Sequence, residues 1–502
     1  MMFAGAAPIV EKMLTPRGVV LAALLYAGVN AAITLSMGPA LALDEVKLNV
    51  FTQSLQAGYL PDNPPLFEWT LIAAQRLVGP TLASFVMVKA VYLAAALLFT
   101  FLAVTEATGQ VRTGAAAAFL LPLLPPVGVS FHQTLTHSTA LVAAIAFFWF
   151  ALLRLRRRKG LADYALLGAA IGIGLLSKYS FALAAALSLA AALARPEWRR
   201  VLATPGAFIA ACIALTIAAP HLSWLVTSSA ESLATAQERL ISGDSYLDRV
   251  VQGLLAVIWA VASFFTPIAV AAFLVARRPL QSLLRAERTL LFDSAAWSAV
   301  VLIMAVLMFG VSNIQERYAI PFFYSGYLWV VIGLCQGAPA ARSIPALVAV
   351  SAVFVLVFAS ARMAEAAAPG RPFCNDCRHH IPYDYLQDVP APAPGTRDTL
   401  VGFDDNTAGN LRRLFPQARV VSSHQPFYSP PADQSGACYF IWSTDVAPSP
   451  PHSVLEQIGP PLSRFGGEWR RRLRGEAGPR TTYWSVAAIN RGTPLANALC
   501  RD

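Results

Sequence analysis

Residues 17–45 read RGVVLAALLYAGVNAAITLSMGPALALDE, and the reading of this stretch decides the fold. An apolar run long enough to cross a bilayer follows the basic residues Lys12 and Arg17 and leads to an acidic pair, Asp44 and Glu45. The run has the outline of a signal peptide, and Pro39, Ala40, Leu41 and Ala42 offer a small-residue cleavage pattern. A retained helix is the better reading, because the acidic loop after it makes sense only when tethered to the membrane. Carboxylates at the membrane surface are costly unless they are used or paired. The loop after the first helix is therefore the first place to look for chemistry.

The rest of the chain repeats the pattern. Of 502 residues, 56% are hydrophobic and 13% charged, with mean hydropathy +0.54. This excess is that of a polytopic α-helical membrane protein and excludes a soluble globular one. Runs of spanning length lie near 17–37, 83–104, 112–128, 135–153, 203–225, 251–276, 290–311, 319–335 and 343–361. A longer stretch, 162–194, is interrupted by Ser177, Lys178, Tyr179 and Ser180 and reads as two short helices, for about eleven spans in all. Residues 66–78, and similarly 45–57, read as amphipathic helices lying along the membrane surface.

The net charge of +10 does not imply a nucleic-acid partner, because its positions follow topology. The clusters Arg154–Lys159 and Arg195–Arg200, with Arg277, Arg278, Arg285 and Arg288, each border an apolar run, as cytoplasmic loops do, and would meet anionic membrane lipids. With the N-terminus in the cytoplasm all of them fall inside. The loops carrying Asp44, Lys178, Glu231 and Arg317 then fall on the periplasmic side, with the tail after Arg362. Two domains are expected: a transmembrane region 1–362 with a first periplasmic loop 38–82, and a soluble periplasmic domain 363–502. In the latter, β-like runs at 399–403, 418–422, 437–442 and 482–489 and a helix at 405–415, capped by Asp405 or Asn406, predict a small α/β domain.

Several polar groups could carry chemistry. Asp44 and Glu45 suit a general base with a helper carboxylate, and equally a helix N-cap with a first-turn acid. In the segment Asp62-Asn63-Pro64-Pro65-Leu66 the prolines make a rigid turn, and Asp62 and Asn63, with Tyr59 before them, are candidates for positioning substrate. Lys178 breaks an apolar stretch and needs an anionic partner, for which a lipid phosphate is suitable; snorkelling to the interface is the alternative. Glu316, Arg317 and Tyr318 stand at the outer end of another span, where an arginine fork can grip phosphate or pair with the glutamate. His221 in PHLSW, His137 beside His132, and Glu231 in the loop 226–250 complete the candidates. Cys212 and Cys335 lie in spans as packing residues. Cys374, Cys377, Cys438 and Cys500 suggest two disulfides with pairing open; Cys374, Cys377, His379 and His380 as a zinc site are the alternative.

The first loop resembles the GT-C glycosyltransferases, specifically the family 39, protein-mannosyltransferase-like proteins and the related aminoarabinose and galacturonic acid transferases of bacterial lipid A and core. The resemblance rests on Asp44, Glu45, Gly58, Tyr59, Pro64, Pro65 and Leu66, with Lys178 in GIGLLSKYS, PHLSW, QERYAIPFF and the tail segment DDNTAGNLRRLFPQARVV. It implies an inner-membrane enzyme that takes a sugar from a polyprenyl-phosphate carrier and places it on an envelope glycan or lipid at the periplasmic face. Asp44 takes the role of base with Glu45 beside it; Lys178 and Tyr179, with Arg317 and Tyr318, take the carrier phosphate. Asn63 stands where relatives often have His or Lys. No cofactor is implied with certainty, and a divalent metal stays open. A lipid transporter, which should show repeat-related broken helices, and a non-catalytic scaffold are the rival readings.

Overall fold

The computed structural model describes residues 7–133, 135–228, 238, 240–275, 281, 283, 288–336, 340–374, 377–388, 398–425, 428, 430, 436–444, 463–471, 479–489 and 499–500. The chain forms two compact units, one of Met1–Asn30, Leu60–Phe67 and Lys89–Phe358, the other of Ala31–Tyr59, Glu68–Val88 and Ala359–Asp502.

Among the described residues, eight helices are long and apolar enough to cross a membrane. Two bent pairs and the shorter apolar helix Leu161–Leu175 supply the remaining segments expected from the sequence. The run near 112–128 is not one straight span: Val111–Leu123 and Pro125–His132 meet at 73°. Pro122, Pro125 and Pro126 explain this, since each removes a backbone donor and clashes with the preceding turn. The interrupted stretch is two helices, Leu161–Leu175 and Tyr179–Ala194, with Lys178 extended between them at φ −165° and ψ 144°.

Within the first unit, burial separates central from peripheral helices. The most apolar window of His137–Arg158 is 89% buried and that of Glu316–Cys335 is 78% buried, against 22% for Pro205–Thr227. The last of these packs on Leu161–Leu175 by close approach: a Cβ at Gly168 would stand 2.4 Å from the Ala210 carbonyl oxygen. Small residues at such a seam bring backbones together where lipid gives no hydrophobic drive. Two buried tyrosines inside the bundle are partnered, as low dielectric favours: the Tyr327 hydroxyl donates to the Ala117 carbonyl, and Tyr324 bonds Thr100.

The second unit carries a five-stranded sheet in the order β2-β1-β3-β5-β4. The strands are β1 Thr399–Gly402, β2 Arg419–Ser422, β3 Cys438–Thr444, β4 Ser463–Arg471 and β5 Arg480–Ala488. β1 pairs in parallel with β2 and β3, and β5 pairs antiparallel with β3 and β4. The helix Asp405–Leu414 connects β1 to β2. Its cap is Asp404, one residue before the expected position, whose carboxylate accepts the Thr407 backbone N–H at 2.7 Å. β4 has no counterpart in the expectation. The first loop, grouped with the spanning region in the sequence reading, lies largely in this unit: residues 38–59 and 68–82 cluster with the sheet.

Candidate functional site

The acidic pair lies in the sheet-bearing unit, on a short helix, Asp44–Phe51. The expected surface helix over 45–57 thus ends early, and its apolar side is buried: Val46, Leu48, Val50 and Phe51 are each at most 1% exposed. Its seat is the helix Asp405–Leu414. A Cβ on Gly409 would come within 2.4 Å of the Val46 Cα, so only glycine permits this approach. Asn49 Nδ2 donates to the Gly409 carbonyl at 2.9 Å and to the Pro80 carbonyl at 3.1 Å. Asn410 grips the backbone before the helix, accepting the Leu41 N–H at 3.0 Å and donating to the Leu41 carbonyl at 3.2 Å. Gln53 completes the fastening at strand β2, exchanging hydrogen bonds with Val420 N–H at 2.8 Å and the Val420 carbonyl at 2.6 Å.

This clamp separates the two carboxylates. Glu45 is 0% exposed; its Oε2 accepts the Ala42 N–H at 3.3 Å and stands 4.0 Å from His379 Nδ1. The same Nδ1 is 3.0 Å from the Ala40 carbonyl, which can only accept, so Nδ1 carries the proton. Asp44 keeps 36% of its side chain exposed and pairs with Lys47 at 3.3 Å. It follows Leu43, a non-glycine residue at φ 51°, a conformation held only where the surroundings over-determine it. Of the pair, Asp44 is the carboxylate solvent reaches, and Glu45 fixes the loop. Within this unit a groove of about 450 Å³ runs beside the acid-bearing helix, lined by Leu41, Leu43, Val46, Arg378, Tyr383 and Asp405 among others.

Tyr59, read as a substrate-positioning residue, is 3% exposed. Its hydroxyl donates to the Ser54 carbonyl at 2.7 Å and accepts the Gln56 N–H at 2.9 Å. Burial pushes its ionisation far up, out of any working range. This hydroxyl closes the loop 54–59.

The cationic candidates lie in the spanning unit. Lys178 Nζ donates to Ser138 Oγ at 3.1 Å and stands 5.1 Å from the Tyr318 ring centroid. The Arg317 guanidinium is 5.4 Å from the same ring, so two cations share one aromatic face-bearing group. The buried Nε of Arg317 has no hydrogen-bond partner among the described residues. Tyr179 bonds His221, hydroxyl to Nε2 at 3.2 Å, and His221 stacks on Trp224 at 5.5 Å. The Asp62–Leu66 turn belongs to this unit. A bridge joins Leu60 to Asn63, and the Leu66 N–H donates to the Leu176 carbonyl at 3.0 Å, beside the helix break that presents Lys178. The Phe67 ring lies 5.8 Å from that of His137, whose Nδ1 is 3.2 Å from Thr136 Oγ1. The Asp62 turn, His137 and Lys178 are thereby gathered at one end of the bundle. His132 is engaged with Tyr26 at 2.8 Å. Glu231 lies outside the described residues.

Cys374–Cys377 and Cys438–Cys500 are disulfides, so the alternative of a zinc site on Cys374 and Cys377 is lost with their thiolates. Among the described residues no group of three or more His, Cys, Asp or Glu side chains is arranged to hold a metal ion. The roles that sequence alone did not reveal are those of Ser138, which orients Lys178, and of Asn410, Gly409 and His379, which fix the acidic helix. Ser138 adjoins His137, but nothing in its spacing marks it as a partner for a lysine forty residues on.

Comparison with known proteins adds an independent line. Residues 62–224 match the family described as dolichyl-phosphate-mannose-protein mannosyltransferase. The chain is 28% identical over 438 residues to the lipopolysaccharide core galacturonosyltransferase RgtA of Rhizobium johnstonii, covering 85% of this chain and 86% of that protein. It is 26% identical over 468 residues to RgtB of the same organism, covering 92% of each. The crystal structure of ArnT from Cupriavidus metallidurans bound to undecaprenyl phosphate superposes with a TM-score of 0.59 at 15% identity, over 95% of this chain and 98% of that one. Its apo form gives 0.58 at 14% identity, over 96% and 99%.

Proposed function

We propose that this chain, whose fold is that of the GT-C class, is a membrane glycosyltransferase that moves a sugar of the galacturonic acid class from a polyprenyl-phosphate carrier to the lipopolysaccharide core, at the periplasmic face of a bacterial inner membrane. The sugar and acceptor follow the two Rhizobium relatives, and the carrier follows the undecaprenyl phosphate held by the ArnT structure. In this reading the N-terminus is cytoplasmic and the sheet-bearing unit periplasmic.

The observation that carries the proposal is the pair of cations on Tyr318. Lys178 donates to Ser138, and Arg317 keeps a buried Nε donor unbonded among the described residues. Such a pair suits a phosphate, which arginine grips as a fork and lysine as a point charge. Asp44 takes the proton of the acceptor hydroxyl as its oxygen attacks the anomeric carbon. The new C–O bond forms as the bond from that carbon to the phosphate oxygen breaks, and the electron pair leaves with the polyprenyl phosphate. Lys178 and Arg317 stabilise the charge growing there. Single displacement inverts the anomeric centre, and the phosphate is a good leaving group without nucleotide activation. Glu45, buried against Ala42 and His379, holds the loop that presents Asp44. Asp62, Asn63, His137 and His221, with Tyr179, position the sugar and the carrier around the helix break.

The test is transfer in lipid nanodiscs from a radiolabelled undecaprenyl-phosphate galacturonic acid to lipopolysaccharide core. Wild-type protein yields labelled core, and Asp44→Asn yields none while inserting normally. Unimpaired turnover by Asp44→Asn overturns the role of the base. Movement of label across the bilayer without a new glycosidic bond makes the protein a transporter.

A further inference from the structure

We propose that the spanning unit holds, at the end of its helices away from Lys178, a built site for the phosphodiester head group of an anionic phospholipid. Three helices define the two ends. His137–Arg158 begins beside the Lys178 partner Ser138 and ends in arginines; Tyr179–Ala194 begins at Lys178 and runs into Arg195; Glu316–Cys335 begins with Arg317 and ends at Gln336. At 1.5 Å per residue the first of these spans about 33 Å, so the far end is a membrane thickness from the proposed carrier site.

A cavity of about 480 Å³ opens there, lined among others by Arg156, Arg157, Arg195, Arg288, Trp198 and Trp329. That volume falls in the range of small-molecule sites. Two acids, Glu106 and Glu197, share the lining, and they leave a positive surplus. Glu106 is divided between Arg157 at 3.6 Å and Arg158 at 4.0 Å. Asp293 is divided between Arg195 at 2.7 Å and Arg288 at 3.0 Å, while Glu197 reaches Arg195 at 3.5 Å. Arg156 makes no close ion pair among the described residues, although its charge acts on Glu197; its guanidinium lies 5.3 Å from the centroid of the buried Trp198 ring. A guanidinium held near an indole by cation–π attraction keeps N–H donors for an incoming oxyanion.

Several features select a lipid over a soluble phosphate. The cavity sits where three apolar helices end, and Leu153, Leu290, Leu291 and Ile332 form part of its wall beside the arginines. Basic pockets between spanning helices suit phospholipid head groups, and tryptophan prefers the same depth. Surface arginines that served topology alone would need neither a cavity nor acids shared between pairs of them.

Native mass spectrometry of the full-length protein tests this, with phosphatidylglycerol and phosphatidylcholine titrated separately. Wild type retains phosphatidylglycerol in preference to phosphatidylcholine. Arg156→Gln weakens that retention about fivefold, the worth of one interfacial arginine, and Glu106→Gln strengthens it, a gain that misfolding cannot mimic. Equal retention of the two lipids by wild type overturns the proposal, as does Arg156→Gln binding like wild type. Displacement of the lipid by an equal concentration of inorganic phosphate overturns the lipid as its occupant.

Discussion

Asp44 and Glu45 are neighbours in sequence with opposite surroundings, and their substitutions should separate accordingly. Asp44→Asn preserves shape and removes the proposed base, so turnover should fall by about 10²–10⁴-fold with the thermal midpoint unchanged. Glu45→Gln removes a buried charge beside His379 and the Ala42 N–H; differential scanning fluorimetry should report a shifted midpoint together with partial loss of activity. Lys178→Met should raise KM for the polyprenyl-phosphate donor and lower kcat, because in the proposed mechanism the cation meets phosphate in both the bound and the departing state. Lys178→Arg should restore part of the binding and less of the rate, since a planar fork does not replace a point charge held by Ser138. Steady-state kinetics with varied donor checks both. Candidate charges were legible in the sequence, because an ionised residue inside or bordering an apolar run stands out. Which of two adjacent carboxylates stays exposed was not, because that depends on His379 and Asn410, brought in from elsewhere.

At the scale of elements, spans and the helix Leu66–Val78 were readable from run length and periodicity. The broken span at 111–132 was hidden because average hydropathy ignores the donors that proline removes. Strand β4 was invisible for a different reason: Gly466 and Gly467 with Arg464, Glu468, Arg470 and Arg471 give it little strand propensity, and it exists because β5 offers a register from Ser463↔Ala488 to Arg471↔Arg480. The seat of the acidic helix on Asp405–Leu414 was equally out of reach, since sequence spacing says nothing about which distant glycine faces Val46. That seat is testable. Gly409→Val puts atoms where the Val46 backbone already lies, and should cost about 1–3 kcal/mol of stability, as overpacked cores do. Transfer activity should fall with it although Asp44 is untouched; a variant with wild-type melting and turnover would show that the approach is dispensable.

For the molecule as a whole, acidity should act through the sheet-bearing unit. Burial, and then the charge of neighbouring His379, hold the His380 imidazole below its usual 6.5. The unfolded chain therefore takes up a proton there more readily than the folded one. The contribution is intact above pH 6.5 and is lost as pH falls through the lower folded value. Thermal midpoints should decline from about pH 7 to pH 5, and His380→Gln should flatten that decline; an unchanged slope would assign the acid sensitivity elsewhere.

The bond from Asn49 to Gly409 joins residues 360 positions apart. During synthesis the acid-bearing segment emerges early and its seat is among the last parts to appear, so the loop waits without a partner while nearly every span is inserted. Chain entropy makes such distant closures late events. A nascent chain stopped after Ala367 would possess its membrane helices and its acid and still lack the seat that holds the Asp44 helix, so that helix would be fixed only once the segment around Gly409 has been made.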